Sequence, residues 1–247
     1  MFPIGDQNEP GHGPALVTLG LIGINIAVFL FLQQAGGPAG DTFTYGFSAV
    51  PLEITSGVDL VGSAPIVVGG QQFLVPQAPG PEPIHLTLLS SMFMHGGWLH
   101  LAGNMLFLWV FGDNVEHRAG PLLFLAAYLG AGLVGSLAQI LSDGDSVIPT
   151  LGASGAISGV LGAYIVLFPR NRVLVFLFRF LVHVPAVMAI GIWIVFQLIN
   201  GFGSSIVTEE TAGGVAYLAH IGGFAAGVVV GFVFRALPHR SPRGGFR

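Results

Sequence analysis

The sequence predicts an all-α polytopic membrane protein with six transmembrane helices and a large first outer loop. Of its 247 residues, 53% are hydrophobic and only 8% are charged, whereas an ordinary soluble domain carries about 25% charged residues. Several apolar runs also approach the roughly 20 residues that a helix needs to cross a bilayer. So few charges cannot cover the surface of a water-soluble globule, which excludes a soluble single-domain enzyme. The high apolar content excludes intrinsic disorder.

The net charge and the cysteine content exclude further classes of protein. A net charge of -4 provides no basic field for nucleic acid. The absence of Cys excludes disulfide scaffolds and thiolate metal sites. We therefore expect a lipid bilayer as the surrounding medium, and no nucleic-acid partner, no metal and no cofactor.

The six predicted spans follow the apolar runs of the chain, at residues 15–33, 98–111, 119–141, 154–168, 185–200 and 213–234. A Gly- and Pro-rich first outer loop covers about 34–85, and an amphipathic stretch at 86–94 leads into the second span. We expect this loop to be structured and to rest on the bilayer surface, a floppy linker being the alternative. Residues 171–184 are apolar but interrupted by two Arg and one His, which predicts an interfacial segment.

The distribution of Arg predicts the orientation in the membrane. All eight basic residues are Arg, and they follow spans two, four and six: Arg118; Arg170, Arg172 and Arg179; Arg235, Arg240, Arg243 and Arg247. The positive-inside rule then puts both termini in the cytoplasm, and we expect a cell inner (plasma) membrane. The membrane domain at 15–236 lies between a cytoplasmic N-terminus at 1–14 and a cytoplasmic tail at 237–247. Residues 1–14 lack Lys and Arg, so we expect span one to be retained rather than cleaved.

Three polar side chains are predicted to lie at one depth in the bilayer. Polar residues inside a span are costly and are functional candidates by default. Asn104, Ser154 and His220 lie 14 to 16 residues before the first Arg that follows their spans. At a rise of about 1.5 Å per residue, they lie about 6–9 Å below the outer surface of a core of about 30 Å. His100 is one helical turn nearer the outside than Asn104, on the same face.

The fourth span is short, and its start is predicted to lie below the outer surface. Fifteen residues give about 22 Å of helix, less than the roughly 30 Å required. The N–H groups of a helix N-terminus there could hold a developing negative charge. Small-residue ridges on spans four and six, through Gly155 and through Gly223 and Gly227, predict close helix packing. That packing would bring Ser154 and His220 within hydrogen-bond reach.

This arrangement favours nucleophilic acyl transfer. A Ser hydroxyl becomes a nucleophile when a base, typically a neutral His, removes its proton. Asn and His side chains together with backbone N–H groups can form an oxyanion hole. Because no span places an Asp or Glu near His220, we expect a Ser–His dyad without an acidic third member.

Three motifs together resemble the rhomboid family of intramembrane serine proteases: Gly152-Ala153-Ser154-Gly155, Ala219-His220-Ile221-Gly222, and His100-Leu101-Ala102-Gly103-Asn104. The resemblance covers about residues 86–231. It implies a six-helix rhomboid-like bundle, Ser154 as nucleophile and His220 as general base. It also implies that His100, Asn104 and the backbone of Ser154 stabilise the oxyanion, with Gly152 and Gly155 as motif glycines. The family cleaves transmembrane segments of other proteins near the outer face, so the expected partners are single-span membrane protein substrates.

The sequence departs from the family pattern at two places. Many members carry a Trp-Arg pair in the first loop, where Ile84-His85 stands here. Many bacterial members carry an aromatic residue four places after the nucleophile, packed on the catalytic His, where this chain has Ser158. The partner that packs on His220 is therefore left open.

Alternative interpretations remain at each position and for the whole chain. Ser154 could be a helix-packing serine, His220 a structural interhelical donor, and Asn104 a bond between helices. The chain could be a catalytically inactive rhomboid-like protein that binds membrane clients. A transporter would favour inverted repeats and charges at mid-membrane, and the sequence has neither. An HExxH metalloprotease motif and a pair of Asp within spans are both absent.

Overall fold

The computed structural model describes residues 2–7, 13–203 and 216–238. The helices in these ranges are α1 Leu16–Ala27, α2 Pro38–Phe47, α3 Pro51–Ser56, α4 Thr87–Ser90, α5 Trp98–Ala119, α6 Pro121–Ser142, α7 Ser154–Leu167, α8 Ala186–Gly203 and α9 Tyr217–Ala236. A π-helical turn, Val28–Leu32, continues α1. The strands are β1 Phe2–Asp6, β2 Gly62–Val68, β3 Gln71–Gln77, β4 Arg172–Leu177 and β5 Phe180–Pro185.

Proline and glycine set the starts and ends of several helices. Helices α2, α3 and α6 each begin at a Pro, whose fixed φ suits the first helical position and whose missing N–H is not needed there. Gly120 is the single residue between α5 and α6, and its φ of 87° lies in the region that favours glycine. This one-residue link makes α5 and α6 neighbours.

Helix α7 is the central helix of the bundle. Every residue from Gly155 to Tyr164 is buried, and α5, α6, α8 and α9 all pack around it. A helix that is apolar all round is expected at the centre of a bundle. Ser154 begins this central helix.

Glycines bring α7 and α9 into backbone contact. A Cβ atom at Gly223 would overlap the carbonyl oxygen of Gly155, and one at Gly227 would overlap that of Gly159. On the other side of α9, a Cβ at Gly222 would lie 2.6 Å from Ala138 Cβ of α6. Larger side chains at these positions would push the helices apart, as in small-residue packing of membrane helices generally.

The described residues are mostly helical, as predicted, and they also contain five short strands in two sheets that the sequence did not predict. Strands β2 and β3 form a hairpin in the first loop, turning at Gly69 and Gly70, which both have positive φ. Strands β4 and β5 form a second hairpin at the segment predicted to be interfacial, and β1 pairs antiparallel with β4. The sheet order is β1-β4-β5, so the N-terminal segment is tied to the chain that follows α7.

A cluster of polar side chains ties this sheet and α1 to the ends of α5 and α7. The buried Glu116 carboxylate of α5 accepts hydrogen bonds from the backbone N–H groups of Val17 and Thr18, at 3.0 and 2.7 Å, and from the Thr18 hydroxyl at 2.8 Å. A carboxylate at a helix N-terminus is favourable for the helix dipole. Asp6 of β1 accepts from Asn114 Nδ2 at 2.8 Å and from the Tyr164 hydroxyl. Burial raises the pKa of Asp6 to about 6.

Two described helices, α6 and α9, are long and apolar enough to cross a membrane. Four further apolar helical segments are shorter: Leu16–Leu32, Ile84–Phe93, Ser154–Leu167 and Ala186–Phe202. Helix α5 extends to Ala119, eight residues beyond the predicted end of span two. In span six, which was predicted to start at residue 213, the described helix α9 begins at Tyr217. Residues 213–215, the acidic pair Glu209-Glu210, residues 1 and 8–12 of the N-terminus and residues 239–247 of the tail lie outside the described residues.

Candidate active site

Gly152 brings His100 and Ser154 together. An ideal Cβ on Gly152 would lie 2.9 Å from His100 Cε1, 3.0 Å from His100 Nε2 and 3.5 Å from Ser154 Oγ. Its φ of 134° is also one that L side chains rarely adopt. Glycine is therefore required here both for the backbone conformation and for the close approach of the imidazole to the loop.

A backbone hydrogen bond from Gly96 determines which nitrogen of His100 can act as a donor toward the Gly152 loop. The N–H of Gly96 donates to His100 Nδ1 at 3.3 Å, so Nδ1 acts as the acceptor. In the neutral ring the proton then resides on Nε2, the nitrogen on the Gly152 side. His100 can thus offer an N–H to an oxyanion formed beside Ser154.

Asn104 lies one turn further along α5, on the face that carries His100. Its side chain is only 9% exposed, and its Nδ2 group has no hydrogen-bond partner among the described residues. Buried polar groups are nearly always paired, so an unpaired buried donor requires an explanation. A second donor for the same oxyanion provides one.

The His220 ring is held by two residues of α8. Its Nδ1 is 2.7 Å from Gln197 Oε1, and the ring centroid is 5.8 Å from that of Trp193, with the planes tilted by 38°. Trp193 of α8 therefore packs on His220. The sequence offers Ser158 at the position where many rhomboid proteins carry an aromatic residue, so this packing comes from a different helix. Ser158 itself donates to the Ser154 carbonyl oxygen at 2.6 Å.

Ser154 begins α7 and is half-buried. No side chain caps this end of the helix, so the N–H groups of the first turn are available near the hydroxyl. Helices α7 and α9 meet beside it, since a Cβ on Gly155 would lie 3.6 Å from the Ala219 carbonyl oxygen. Within the described part of the chain, no hydrogen bond joins Ser154 Oγ to His220, so the expected contact is not closed in this state. Catalytic hydrogen bonds are often long without substrate.

Two cavities border the loop that carries Ser154. A small one of about 20 Å³ is lined in part by the polar side chains of Ser136, Gln139, Thr150 and Ser154, and its volume is sufficient for about one water molecule. The buried Gln139 Oε1 atom has no partner among the described residues.

The second cavity is about 650 Å³ and lies between the first loop and the start of α5. Its lining includes Tyr45 of α2, Phe73 of β3, His95, Gly96 and Leu151. Burial, with a smaller contribution from His100, lowers the pKa of His95 to about 3, so this ring is neutral at physiological pH. The two imidazoles, of His95 and His100, meet edge to face at 5.1 Å.

Two residues at this site were missed by the sequence analysis or given a lesser role. The sequence pattern assigned neither Trp193 nor Gln197 a role at the site. The available signal was a polar side chain within an apolar span, four residues after an aromatic one. Within the described ranges, no group of three or more His, Asp or Glu side chains is arranged to hold a metal.

Comparison with known proteins identifies the family. The Rhomboid domain pattern matches residues 85–237, more than half of the chain. Rhomboid protein 1, mitochondrial, of Saccharomyces cerevisiae is 34% identical over 60% of this chain and 41% of its own length. Rhomboid protease GluP of Bacillus subtilis is 36% identical over 58% of this chain and 26% of its own length. The chain spans less than half the length of each of these relatives. By the domain match, this chain belongs to the rhomboid family.

Proposed function

We propose that this chain is an intramembrane serine endopeptidase that cleaves transmembrane segments of membrane proteins near the outer face, with Ser154 and His220 as its dyad. The observation that carries the proposal is the convergence at the start of α7. Ser154 Oγ and His100 Nε2 both approach Gly152, and α9, the helix of His220, packs against the same end of α7. The family is membrane-embedded and includes proteases, one of which is the named relative GluP.

The chemistry begins with attack by Ser154 Oγ on the carbonyl carbon of the scissile peptide bond. His220 Nε2 takes the hydroxyl proton. When the tetrahedral intermediate collapses, the C–N bond breaks and His220 gives its proton to the leaving amine, which yields an acyl-enzyme ester. Water then attacks the ester, His220 takes a proton from that water, and it returns the proton to Ser154.

The negative charge of each tetrahedral intermediate is stabilised by donors on two helices. Asn104 Nδ2 and His100 Nε2–H come from α5, and the first-turn N–H groups come from α7. Donors that are already oriented need no rearrangement as charge develops, which makes them effective in a water-poor site. The unpaired state of Asn104 Nδ2 supports this role.

The two cavities supply the room that hydrolysis needs. The small cavity beside Ser154 is suited to the hydrolytic water, with Gln139 Oε1 as an acceptor for one of its protons. The cavity of about 650 Å³ is lined in part by Leu151, which precedes Gly152, and by His95, whose ring meets that of His100. It is suited to the substrate segment next to the scissile bond.

We further propose that α1, α5, α6, α7, α8 and α9 are the six membrane spans, with both termini in the cytoplasm of a cell inner membrane. Arg118 in the last turn of α5 and Arg235 in the last turn of α9 support this topology. Arg118 donates to the carbonyl oxygens of Arg235 and Leu237, at 3.2 and 2.8 Å, so two predicted cytoplasmic ends meet.

The experiment that tests the proposal is cleavage of a panel of single-span substrates by the purified chain in lipid. We expect wild-type protein to cut within or beside the substrate span, and Ser154→Ala and His220→Ala to abolish cleavage while both variants still insert and purify. Turnover retained by either variant would contradict the dyad. Substrate capture without cleavage by wild type would favour the alternative, an inactive protein that binds membrane clients.

A further inference from the structure

The His220 ring makes a buried hydrogen bond that the proposed dyad does not require. Its Nδ1 is 2.7 Å from Gln197 Oε1, and the two side chains are only 7% and 5% exposed. An amide oxygen has no hydrogen to donate. With the amide in this orientation, His220 Nδ1–H is the donor, and in the neutral ring the lone pair is left on Nε2.

The interval of four residues between Trp193 and Gln197 in α8 places both side chains toward His220. Trp193 lies on the same helical face as Gln197 and covers the ring of the same histidine. The flanking Val195, Phe196 and Ile199 are 52–65% exposed, so Gln197 is a buried polar residue on a mostly apolar surface helix. The other amide of this helix, Asn200, donates within its own helix. A residue such as Gln197 is expensive within a membrane, and its amide bonds to another helix rather than to its own.

We infer that Gln197 is a positioning residue that keeps His220 in the tautomer able to accept the Ser154 proton. The inference rests on the proposed protease function and goes beyond its dyad. In serine proteases an aspartate on the far nitrogen holds the imidazole in the required tautomer. Here a neutral amide oxygen occupies the corresponding place, which suits a site from which water and charge are largely excluded.

Two other roles for Gln197 give different results on substitution. If Gln197 only fills space, an apolar side chain of similar length replaces it without loss. If the amide is turned so that its NH₂ group donates to Nδ1, the proton of His220 lies on Nε2, and an acceptor-only side chain at 197 would move that proton to Nδ1 and so change kcat from the wild-type value.

Three forms of the full-length chain in lipid distinguish these roles: wild type, Gln197→Met and Gln197→Glu. Met is of similar length and cannot accept the bond effectively, whereas the Glu carboxylate can only accept it. Phe196→Met is the matched control, because Phe196 is 56% exposed on the outer side of the same helix turn. The readouts are kcat and KM for a single-span substrate, with the rate of fluorophosphonate labelling at Ser154.

We expect Gln197→Met to lower kcat and the labelling rate by about 10- to 100-fold, with KM changed by less than about threefold. Loss of the aspartate in a serine protease costs about 10⁴-fold, and a neutral acceptor should contribute less. Gln197→Glu should retain most of the wild-type kcat, and Phe196→Met should match wild type.

Either of two results would overturn the inference: wild-type kcat in Gln197→Met, or a folded Gln197→Glu as slow as Gln197→Met. If Gln197→Met does not fold, Gln197→Glu alone decides, since loss of its activity in the folded state refutes the acceptor role. Failure of the protease proposal looks different, because wild-type protein would then show no cleavage that depends on Ser154.

Discussion

Two sets of buried polar groups, one at each end of the helix bundle, differ in their hydrogen bonding, although Asn114 Oδ1 at the end of α5 also has no partner among the described residues. Where α5 and α7 end, the Glu116 carboxylate accepts three hydrogen bonds from α1, and Asp6 accepts from α5 and α7. Where α7 begins, Asn104 Nδ2 and Gln139 Oε1 are buried and have no partner among the described residues. The first set joins elements of the fold. The second set is left available for a ligand, as expected of a reaction site.

Among the substitutions that test this contrast, Asn104→Ala is expected to have the largest effect, and that effect is on turnover. Asn104→Ala should lower turnover of a single-span substrate by about 10- to 1000-fold. The upper end of this range is the loss typical of removing one oxyanion donor. The thermal midpoint of this variant in detergent should change little, because removal of an unpaired donor sacrifices no hydrogen bond. Parallel measurements of turnover and midpoint check this. An unchanged turnover would leave Asn104 with a packing role only.

The opposite pattern is expected at Glu116. Glu116→Ala removes the acceptor for three donors of α1, so it should lower the free energy of unfolding by about 1–3 kcal/mol and the midpoint by about 2–12 °C. Turnover per folded molecule should stay close to wild type. Glu116→Gln, which keeps one acceptor oxygen, should lose less. A Glu116→Ala protein that is as stable as wild type but inactive would contradict the assignment of stability to this end of the bundle and of activity to the other.

The smallest effect is a pH dependence of stability that originates at Asp6. Because burial raises the pKa of Asp6 from 3.8 to about 6, the folded state binds a proton that the unfolded state releases in that range. Stability should therefore fall as pH rises from about 4 to about 6. The titratable groups that face Asp6 are Asp113 and Tyr164.

Asp6→Asn removes this titration and provides the control. The midpoint of wild type relative to Asp6→Asn should decrease by about 2–4 °C between pH 4 and 7, a range kept small because Asp6 is partly exposed. Parallel midpoints in the two proteins, or a relative rise of wild type with pH, would refute the assignment.

Local pattern was enough to predict the helices that carry the site, but their ends depended on distant contacts. Span two was predicted to end at residue 111 from the extent of its apolar run. The structure continues α5 to Ala119, since Glu116 is bonded to α1 rather than to water. The strand pairing of β1 with β4 joins residues about 170 positions apart, and no local periodicity reports such a contact.

At the site, the sequence pointed to the residues but not to their hydrogen bonds. The spacing of Asn104, Ser154 and His220 from the following Arg residues predicted one shared depth. It did not predict that Gly96 would determine the His100 tautomer, or that α8 would hold His220 through Gln197 and Trp193. Those contacts depend on the rotation of each helix about its axis, which an apolar surface helix such as α8 specifies only weakly.

The most direct test of the central claim is active-site labelling of the purified chain in lipid with a fluorophosphonate. A serine activated by a neighbouring imidazole should form a stable adduct, which mass spectrometry should locate on Ser154. The same treatment of folded His220→Ala should give no adduct above background. An adduct on any other residue, or equal labelling of Ser154 without His220, would contradict the account.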